Sequence, residues 1–341
     1  MALTSFSSPR LVPRSSAMTD TMATMTDTTL DPLARRVVEG LSGTPKSLPC
    51  MYFYDDAGSH LFQQIMQLPE YYLSRAEHTI LREQTADLLA LCSPLGQPFD
   101  LIELGCGDGS KTLDLCAGFL ACGADVVYRP IDISRHALDS LHTRFAMALP
   151  RLKVAGLLGD YFDCLVHASH ARRRVVMFMG SNLGNFTPRE ALQFLVQIRR
   201  TLQPHDALML GLDLVKHPRR ILAAYDDAQG VTAAFNHNLL HRLNREFEMD
   251  FDVRAFSHYA SYCPLEATAR SFLVSERAQR VHSRRLQRHF PFAQGECLYT
   301  EQSRKFALGA LPELAREAGF DCEDTLTDPA GDVGVTFWSP R

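Results

Sequence analysis

A short apolar run that leads directly into three closely spaced glycines constrains the fold of this 341-residue chain more than any other feature. Residues 99–104 have the length and composition of a buried strand, and Gly105, Gly107 and Gly109 follow at once. Glycines at the end of such a strand let the backbone approach a ligand at the carboxyl edge of a parallel sheet, where open α/β folds bind nucleotides. The dinucleotide fingerprint G-x-G-x-x-G is the alternative, but here the third glycine comes one position early.

Strands and helices alternate along the chain as far as residue 213. Hydrophobic periodicity predicts further strands at 126–133, 152–158, 174–179 and 207–213. It predicts the intervening helices at 111–120, 137–148 and 190–202. This order is typical of a doubly wound parallel sheet with helices on both faces, so we predict an α/β fold.

The segments on either side of this alternation differ from it. Before it, we predict a helix at 33–41, a short helix capped by Ser59, and one long helix at 75–91. After it, residues 216–305 predict helices and then antiparallel strands, among them 272–281 and 285–292. A helix at 307–318 and a strand at 334–338 complete the chain. We expect residues 216–305 and the N-terminal segment to form an α+β substrate-binding part.

Polar residues follow two further strands at the same edge of the predicted sheet. Asp132 ends the second strand, 27 positions after Gly105, where a carboxylate can accept both ribose hydroxyls of an adenosine. Asp160 and Tyr161 follow the third strand, where the acid can take the adenine amino group and the ring can stack on the base. Since all three features lie at the same sheet edge, the sequence predicts an adenosine-containing cofactor there.

This arrangement resembles the class I S-adenosylmethionine methyltransferases, which have a Rossmann-like fold. The resemblance implies that Glu103 and the glycines lie near the methionine half of the cofactor. It also implies that Asp132 binds ribose and that Asp160 and Tyr161 flank adenine. On the same resemblance, Lys111 and Gly180 belong to the cofactor site.

Several longer motifs go beyond a general methyltransferase. They are Pro45-Lys46-Ser47-Leu48-Pro49, Leu68-Pro69-Glu70-Tyr71-Tyr72, Gly180-Ser181-Asn182-Leu183-Gly184-Asn185, Asp213-Leu214-Val215-Lys216 and Tyr225-Asp226-Asp227. Together they resemble the L-histidine Nα-methyltransferases, which make trimethylhistidine (hercynine) for ergothioneine synthesis. The resemblance extends over residues 33–341.

The family resemblance also implies roles for the substrate-site residues. Asn185 and Tyr225 hold the substrate carboxylate, and the amide and the phenol are suitable uncharged donors. Tyr54 and Tyr71 line the pocket, with Tyr54 as the candidate catalytic residue. Glu301 and Ser303 stand two positions apart, so both point to one face of a strand and can engage the two imidazole nitrogens.

We therefore expect S-adenosylmethionine-dependent Nα-methylation of L-histidine, up to the trimethylated product. One alternative is an N-methyltransferase of another amino acid, such as a tryptophan derivative, if a small residue near Ser271 enlarges the pocket. A second is a catalytically silent S-adenosylmethionine-binding protein. The net charge of −4 disfavours a nucleic-acid methyltransferase.

Composition supports these expectations. Nine cysteines are scattered without paired metal-ligand spacing, so we expect no metal, reduced thiols and a cytoplasmic protein. No apolar run is long enough to span a bilayer, and we expect a monomer without membrane partners. We expect a disordered extension at 1–29. The substrate-binding domain is expected at 30–80 and 216–305, and the cofactor-binding domain at 81–215 and 306–341.

Overall fold

A computed structural model describes residues 30–341, so the extension expected at 1–29 lies outside the described residues. The helices of the described part are α1 (Pro32–Ser42), α2 (Asp56–Gln67), α3 (Tyr72–Glu83), α4 (Thr85–Cys92), α5 (Ser110–Ala121), α6 (Arg135–Ala148), α7 (Tyr161–His167), α8 (Pro188–Thr201), α9 (Pro218–Ala223), α10 (Val231–Glu246) and α11 (Leu311–Glu317). The strands are β1 (Lys46–Ser47), β2 (Phe99–Leu104), β3 (Val126–Asp132), β4 (Lys153–Val154), β5 (Leu157–Leu158), β6 (Arg173–Phe178), β7 (Ala207–Asp213), β8 (Phe256–Cys263), β9 (Thr268–Ser275), β10 (Gln279–Ser283), β11 (Arg288–Phe292), β12 (Cys297–Arg304), β13 (Phe320–Thr327) and β14 (Val333–Pro340).

The larger sheet has the order β13-β14-β7-β6-β2-β3-β4, and β5 also pairs with β3. The strands from β7 through β6, β2 and β3 to β4 and β5 run parallel, whereas β14 is antiparallel to both β7 and β13. Its central strands β2 and β7 are buried along their whole length, as their continuous apolar sequence predicts. The predicted α/β class is confirmed, with two antiparallel strands added at one edge.

The smaller sheet has the order β1-β12-β9-β8, and β10 and β11 form a separate hairpin. An apolar cluster joins α1, α2 and α10 to the inner faces of these strands, with Phe53, Phe235, Leu273 and Leu298 all buried. The antiparallel strands predicted within 216–305 are thus confirmed.

The last strand of the smaller sheet meets the carboxyl end of the larger one. The Phe306 N–H donates to the Asp213 carbonyl over 2.8 Å, and the Val215 N–H donates to the Phe306 carbonyl over 2.9 Å. These two bonds place the end of β12 above the edge where β7 finishes. A cleft between the two sheets follows from this junction.

Two predicted helix boundaries are wrong. The long helix expected at 75–91 breaks at Gln84, whose side chain donates to the Thr327 carbonyl over 2.8 Å. The N-cap of α2 is Asp55 rather than Ser59, because the Asp55 carboxylate accepts the Gly58 N–H over 2.7 Å.

Two strand predictions are also wrong. The strand expected at 272–281 is divided by a turn after Ser275, whose hydroxyl donates to the Arg277 carbonyl over 2.8 Å. The strand expected at 152–158 consists of two short pieces, β4 and β5, on either side of Gly156. Strand β13 was not predicted, because its acidic sequence lacks an apolar run.

Within residues 30–341, every helix is too short or too polar to cross a membrane.

Helix α3 packs on the larger sheet, with Tyr72, Leu73 and Ile80 in the apolar cluster beneath that sheet. The division into two domains remains a prediction.

Candidate active site

The polar strand ends predicted at the cofactor edge come together. The Gly105 N–H donates to the Ile131 carbonyl over 3.2 Å, and the Gly159 N–H donates to the Asp132 carbonyl over 3.1 Å. Gly105 has φ 75°, and a Cβ built there would lie 2.6 Å from the Tyr161 hydroxyl. Only glycine therefore fits between the end of β2 and Tyr161.

Two carboxylates lie at the same edge. Asp132 accepts the Ser134 N–H over 2.8 Å, and its other oxygen is 3.8 Å from the Cys106 sulfur. Asp160 caps α7 by accepting the Phe162 N–H over 2.9 Å. Each residue keeps acceptor capacity beyond these bonds, because a carboxylate offers about four lone-pair positions.

Glu103 lies beneath the glycine loop. Its carboxylate accepts the Thr112 hydroxyl over 2.9 Å and the Tyr128 hydroxyl. Burial raises the pKa of Glu103 to about 7, although both hydroxyls favour the charged form. Since α5 begins at the end of the loop, these bonds tie that helix to β2 and β3, and direct contact of Glu103 with the cofactor remains a prediction.

A carboxylate that sequence reasoning missed connects the remaining cofactor-edge residues. Glu77, on α3, is buried; it pairs with the Lys111 ammonium and accepts the Gly180 N–H over 2.7 Å. Lys111 lies in the first turn of α5, and Gly180 follows β6. The available signal was an acid on the apolar face of α3, between Leu73 and Ile80.

A pocket lies between this edge and the smaller sheet. About 510 Å³ of space, partly open to solvent, lies among its side chains. All six residues predicted for substrate binding or catalysis line it: Tyr54, Tyr71, Asn185, Tyr225, Glu301 and Ser303. Gly180, predicted for the cofactor site, also reaches this pocket, which places the two predicted sites side by side.

Aromatic rings form one side of the pocket. Phe62 lies 5.7 Å from Tyr54 and 6.1 Å from Tyr71, both in edge contacts, and Phe235 lies 5.9 Å from Phe62. Tyr54 is 46% exposed and therefore lies at the pocket mouth. Such rings present negative faces to a bound cation.

The loop after β6 carries Asn185 to the pocket in a strained conformation. Ser181 has φ 57°, which is uncommon for a residue other than glycine. Gly184 packs directly on β12, since a Cβ there would lie 2.6 Å from the Arg304 carbonyl oxygen. Within residues 30–341, no hydrogen bond engages the Asn185 amide group, which leaves it available to a ligand.

Glu301 and Ser303 lie on one face of β12, as their spacing predicts. A bulge makes Thr300 the extra residue, so that Glu301 is opposite Ser271 and Ser303 is opposite Ala269. Within residues 30–341, the Glu301 carboxylate receives no hydrogen bond. Burial raises the pKa of Glu301 to about 7, and the positive charge of Lys305 opposes that rise.

Ser271 lies behind this pair. It is 1% exposed, and its hydroxyl has no partner among residues 30–341. It is not among the residues that line the pocket, although it lies opposite Glu301 in the sheet.

A buried charged cluster that sequence reasoning missed supports the pocket floor. Asp213 pairs with Lys305 at 2.7 Å and with Lys216, and it accepts the Tyr72 hydroxyl over 3.0 Å. Lys305 also donates to the Tyr225 hydroxyl over 2.6 Å. Sequence patterns did not predict this cluster, because Lys305 contacts Tyr225 and Lys216 contacts Tyr72 across 80 or more positions of the chain.

The pocket therefore combines the Asn185 amide, the neighbouring Tyr225 and Ser303 hydroxyls, the Glu301 carboxylate and a wall of aromatic rings. That arrangement suits a small zwitterion with a carboxylate, an amine and a polar ring.

Comparison with known proteins agrees with this geometry. A family model described as "Histidine-specific methyltransferase, SAM-dependent" matches residues 33–340. The chain is 40% identical to the histidine N-alpha-methyltransferase of Mycolicibacterium smegmatis over 91% of its own length and 96% of that protein. It is 39% identical to the histidine N-alpha-methyltransferase of Mycobacterium tuberculosis, covering 89% and 94% of the two chains. Ergothioneine biosynthesis protein 1 of Neurospora crassa is 28% identical over 81% of this chain and 31% of its own length.

Proposed function

The chain belongs to the histidine-specific, S-adenosylmethionine-dependent methyltransferases, and from that premise we propose that it methylates the α-amino nitrogen of L-histidine. The product is hercynine once three methyl groups have been transferred, which makes the reaction the first step of ergothioneine biosynthesis. The relatives named for histidine methylation and for ergothioneine biosynthesis support this assignment.

The Glu301 carboxylate carries the proposal. Its pKa of about 7 means that the charged form is populated at neutral pH. The carboxylate faces the pocket without a hydrogen-bond donor from residues 30–341 and lies beside the Ser303 hydroxyl. An imidazole has one N–H donor and one lone pair, which match a carboxylate and a hydroxyl. We assign the α-carboxylate to Asn185 and Tyr225, which leaves the amine at the side of the pocket that contains Gly180.

The residues at the cofactor edge fit S-adenosylmethionine. Asp132 keeps acceptor positions for ribose hydroxyls, and we assign Tyr161 and Asp160 to adenine. Lys111 pairs with Glu77 and keeps further N–H donors for the cofactor carboxylate. When bound, S-adenosylmethionine supplies an electrophilic methyl group. The protein's task is alignment, which can contribute about 7–11 kcal/mol to lowering the barrier.

The α-amine must lose a proton before each transfer, because a free α-amino group has a pKa near 8. Tyr54 is the residue we assign to this step. Burial of its hydroxyl among pocket side chains and the nearby Glu301 charge raise the pKa of Tyr54, so the phenol stays neutral. It therefore accepts a hydrogen bond from the amine and relays the proton to water at the pocket mouth.

Repeated transfer to one nitrogen requires a wall that tolerates a growing cation. Tyr54, Phe62 and Phe235 supply aromatic faces without a hydrogen-bonding demand at that place. A trimethylated ammonium is favourable beside such rings. We infer that the reaction proceeds to three methyl groups.

The remaining features of the proposal follow from the chemistry. Free L-histidine is the partner, the transfer needs no metal, and one copy of the chain contains the whole pocket, so we propose a cytoplasmic, metal-free monomer. Among residues 30–341, no group of three or more His, Cys, Asp or Glu residues is placed to hold a metal ion.

Locating the transferred methyl group tests the proposal. L-histidine is incubated with S-adenosylmethionine carrying a ¹³C-methyl group, and the product is analysed by NMR and by fragmentation mass spectrometry. We expect three equivalent labelled methyl groups on the α-nitrogen. Label on an imidazole nitrogen, or an absence of label on histidine, would overturn the assignment.

A further inference from the structure

Lys305 is a completely buried lysine directly beneath the substrate pocket. Its ammonium donates to the Tyr225 hydroxyl over 2.6 Å and to the Ser303 hydroxyl over 2.8 Å, and it pairs with Asp213 at 2.7 Å. An ammonium has three N–H donors and no acceptor. These three contacts therefore use its full capacity, and the lysine has a single defined orientation.

The chemistry of the ammonium determines the direction of two pocket hydrogen bonds. Because Lys305 can only donate, Tyr225 and Ser303 must each accept from it, and the proton of each hydroxyl is directed away from the ammonium. Both hydroxyls line the pocket. Burial and the nearby negative charges of Asp213 and Glu301 raise the pKa of Tyr225 well above its usual value, against the opposing effect of the neighbouring Ser303 hydroxyl, so the phenol stays protonated.

The opposite character of Glu301 completes the pattern. Its carboxylate accepts hydrogen bonds when it is charged, whereas the two hydroxyls above Lys305 donate. The pocket is thus complementary to a ligand that has acceptors opposite Tyr225 and Ser303 and a donor opposite Glu301. A carboxylate at Tyr225 and an imidazole with its lone pair toward Ser303 satisfy all three.

We propose that Lys305 is a positioning residue, which sets Tyr225 and Ser303 as donors and so selects the histidine tautomer whose unprotonated nitrogen faces Ser303. This inference rests on the proposed function, because it specifies how that substrate is read. Lys305 itself touches neither substrate nor cofactor in this account. Asp213 holds it in place from the opposite side.

The chain contains a matched control for this residue. Lys216 pairs with the same Asp213 carboxylate and donates to the Tyr72 hydroxyl over 3.0 Å. Its side chain is 8% exposed, close to the 0% of Lys305. Loss of either lysine leaves Asp213 with one cation fewer, but only Lys305 contacts the pocket hydroxyls.

The test compares Lys305→Met with Lys216→Met. Histidine affinity is measured by calorimetry in the presence of S-adenosylhomocysteine, and the affinity for S-adenosylhomocysteine is measured separately. We expect Lys305→Met to weaken histidine binding by about 30-fold or more, whereas Lys216→Met changes it by less than about threefold. Neither variant should change the affinity for S-adenosylhomocysteine by more than about threefold.

A second background separates positioning from general support. In a Tyr225→Phe/Ser303→Ala protein the hydroxyls are absent, so the further change Lys305→Met should alter histidine affinity by less than about threefold. If Lys305→Met does not fold, Lys305→Met combined with Asp213→Asn removes both charges of the pair and serves in its place. Equal losses in the two lysine variants, or an undiminished loss in the double background, would overturn the inference. If the wild-type protein binds no histidine, the proposed function fails and this inference fails with it.

Discussion

The buried carboxyl group of Glu301, which we propose binds the imidazole, lowers the free energy of unfolding when it is charged. Its pKa rises from 4.5 to about 7 in the folded protein because the carboxyl group is buried. A folded state that holds its proton more tightly gains stability below about pH 4.5, and that gain is lost as the pH rises through 7. The charged carboxylate therefore lowers stability above pH 7, a cost that the proposed acceptance of an imidazole N–H would explain.

Glu301→Gln should separate these two roles. The amide no longer titrates, so the variant should be more stable than the wild type by up to roughly 3 kcal/mol at pH 8 and by less than about 1 kcal/mol at pH 5. Its kcat/KM for histidine should fall about 100-fold. Thermal unfolding at both pH values, together with steady-state kinetics, measures these effects. The same difference in stability at pH 5 and pH 8 would contradict the assigned burial of the charge.

Asp132 gives the corresponding prediction for the cofactor. A charged acceptor that takes hydroxyl hydrogen bonds contributes about 1.5–3 kcal/mol, so Asp132→Ala should weaken S-adenosylmethionine binding by tenfold or more. Asp139→Ala is the control, because Asp139 is an exposed residue on the neighbouring helix α6. Calorimetric titration of both variants decides the matter. Unchanged affinity in Asp132→Ala would remove Asp132 from the site.

The site residues that could be predicted from the sequence are those in short local motifs. Asn185, Tyr225, Glu301 and Ser303 each stand in a short pattern, and all four line one pocket. Their assigned roles in binding remain predictions. Lys305 was not predicted, because its proposed role depends on a side chain 80 positions away.

At the scale of elements, the loop after β6 and strand β12 act as one unit. Gly184 lies so close to β12 that a Cβ would stand 2.6 Å from the Arg304 carbonyl oxygen. Gln302 adds a weak bond of 3.4 Å to the Asn185 carbonyl. This contact therefore fixes the position of the loop that carries Asn185 relative to the strand that carries Glu301.

Gly184→Ala should therefore move Asn185 away from Glu301. Since the added methyl group meets backbone, the loop must shift, and the KM for histidine should rise about tenfold while the affinity for S-adenosylmethionine changes little. Gly309→Ala is the control, because a Cβ there meets no atom within 4 Å. Kinetics at saturating S-adenosylmethionine measure the change. A KM equal to that of the control would mean that this contact does not set the pocket.

Elements with one strong period were predictable, and those that depend on partners were not. Strands β2 and β7 were predicted with their observed bounds, because both are continuous apolar runs. Strand β13 was not, because it lies at the sheet edge and has the polar sequence of an exposed surface. The break at Gln84 likewise depends on a bond to the distant Thr327.

At the scale of the whole molecule, the pocket needs both sheets. Tyr54 and Tyr71 precede the larger sheet, Asn185 follows one of its central strands, and Glu301 lies on the smaller sheet. The predicted site residues all fall within residues 30–341. The site is therefore assembled from distant parts of one chain.

A protein that begins at residue 30 should therefore retain activity. We expect kcat/KM for histidine within about threefold of the full-length value, because every residue assigned to binding or catalysis is retained. A truncation at residue 60 is the comparison, since it removes Tyr54 and α1 and should abolish activity. A large loss on removing residues 1–29 alone would show that this segment contributes to the site.

Histidine specificity is tested most directly by incubating the purified enzyme with S-adenosylmethionine and each of the twenty amino acids in turn. The products are identified by mass spectrometry. We expect histidine alone to gain mass, up to three methyl groups, and Glu301→Ala to abolish the preference for histidine. Methylation of tryptophan or another amino acid in place of histidine would contradict the substrate assignment while leaving the fold and cofactor intact. S-adenosylmethionine binding without any methylated product would contradict the enzymatic assignment itself.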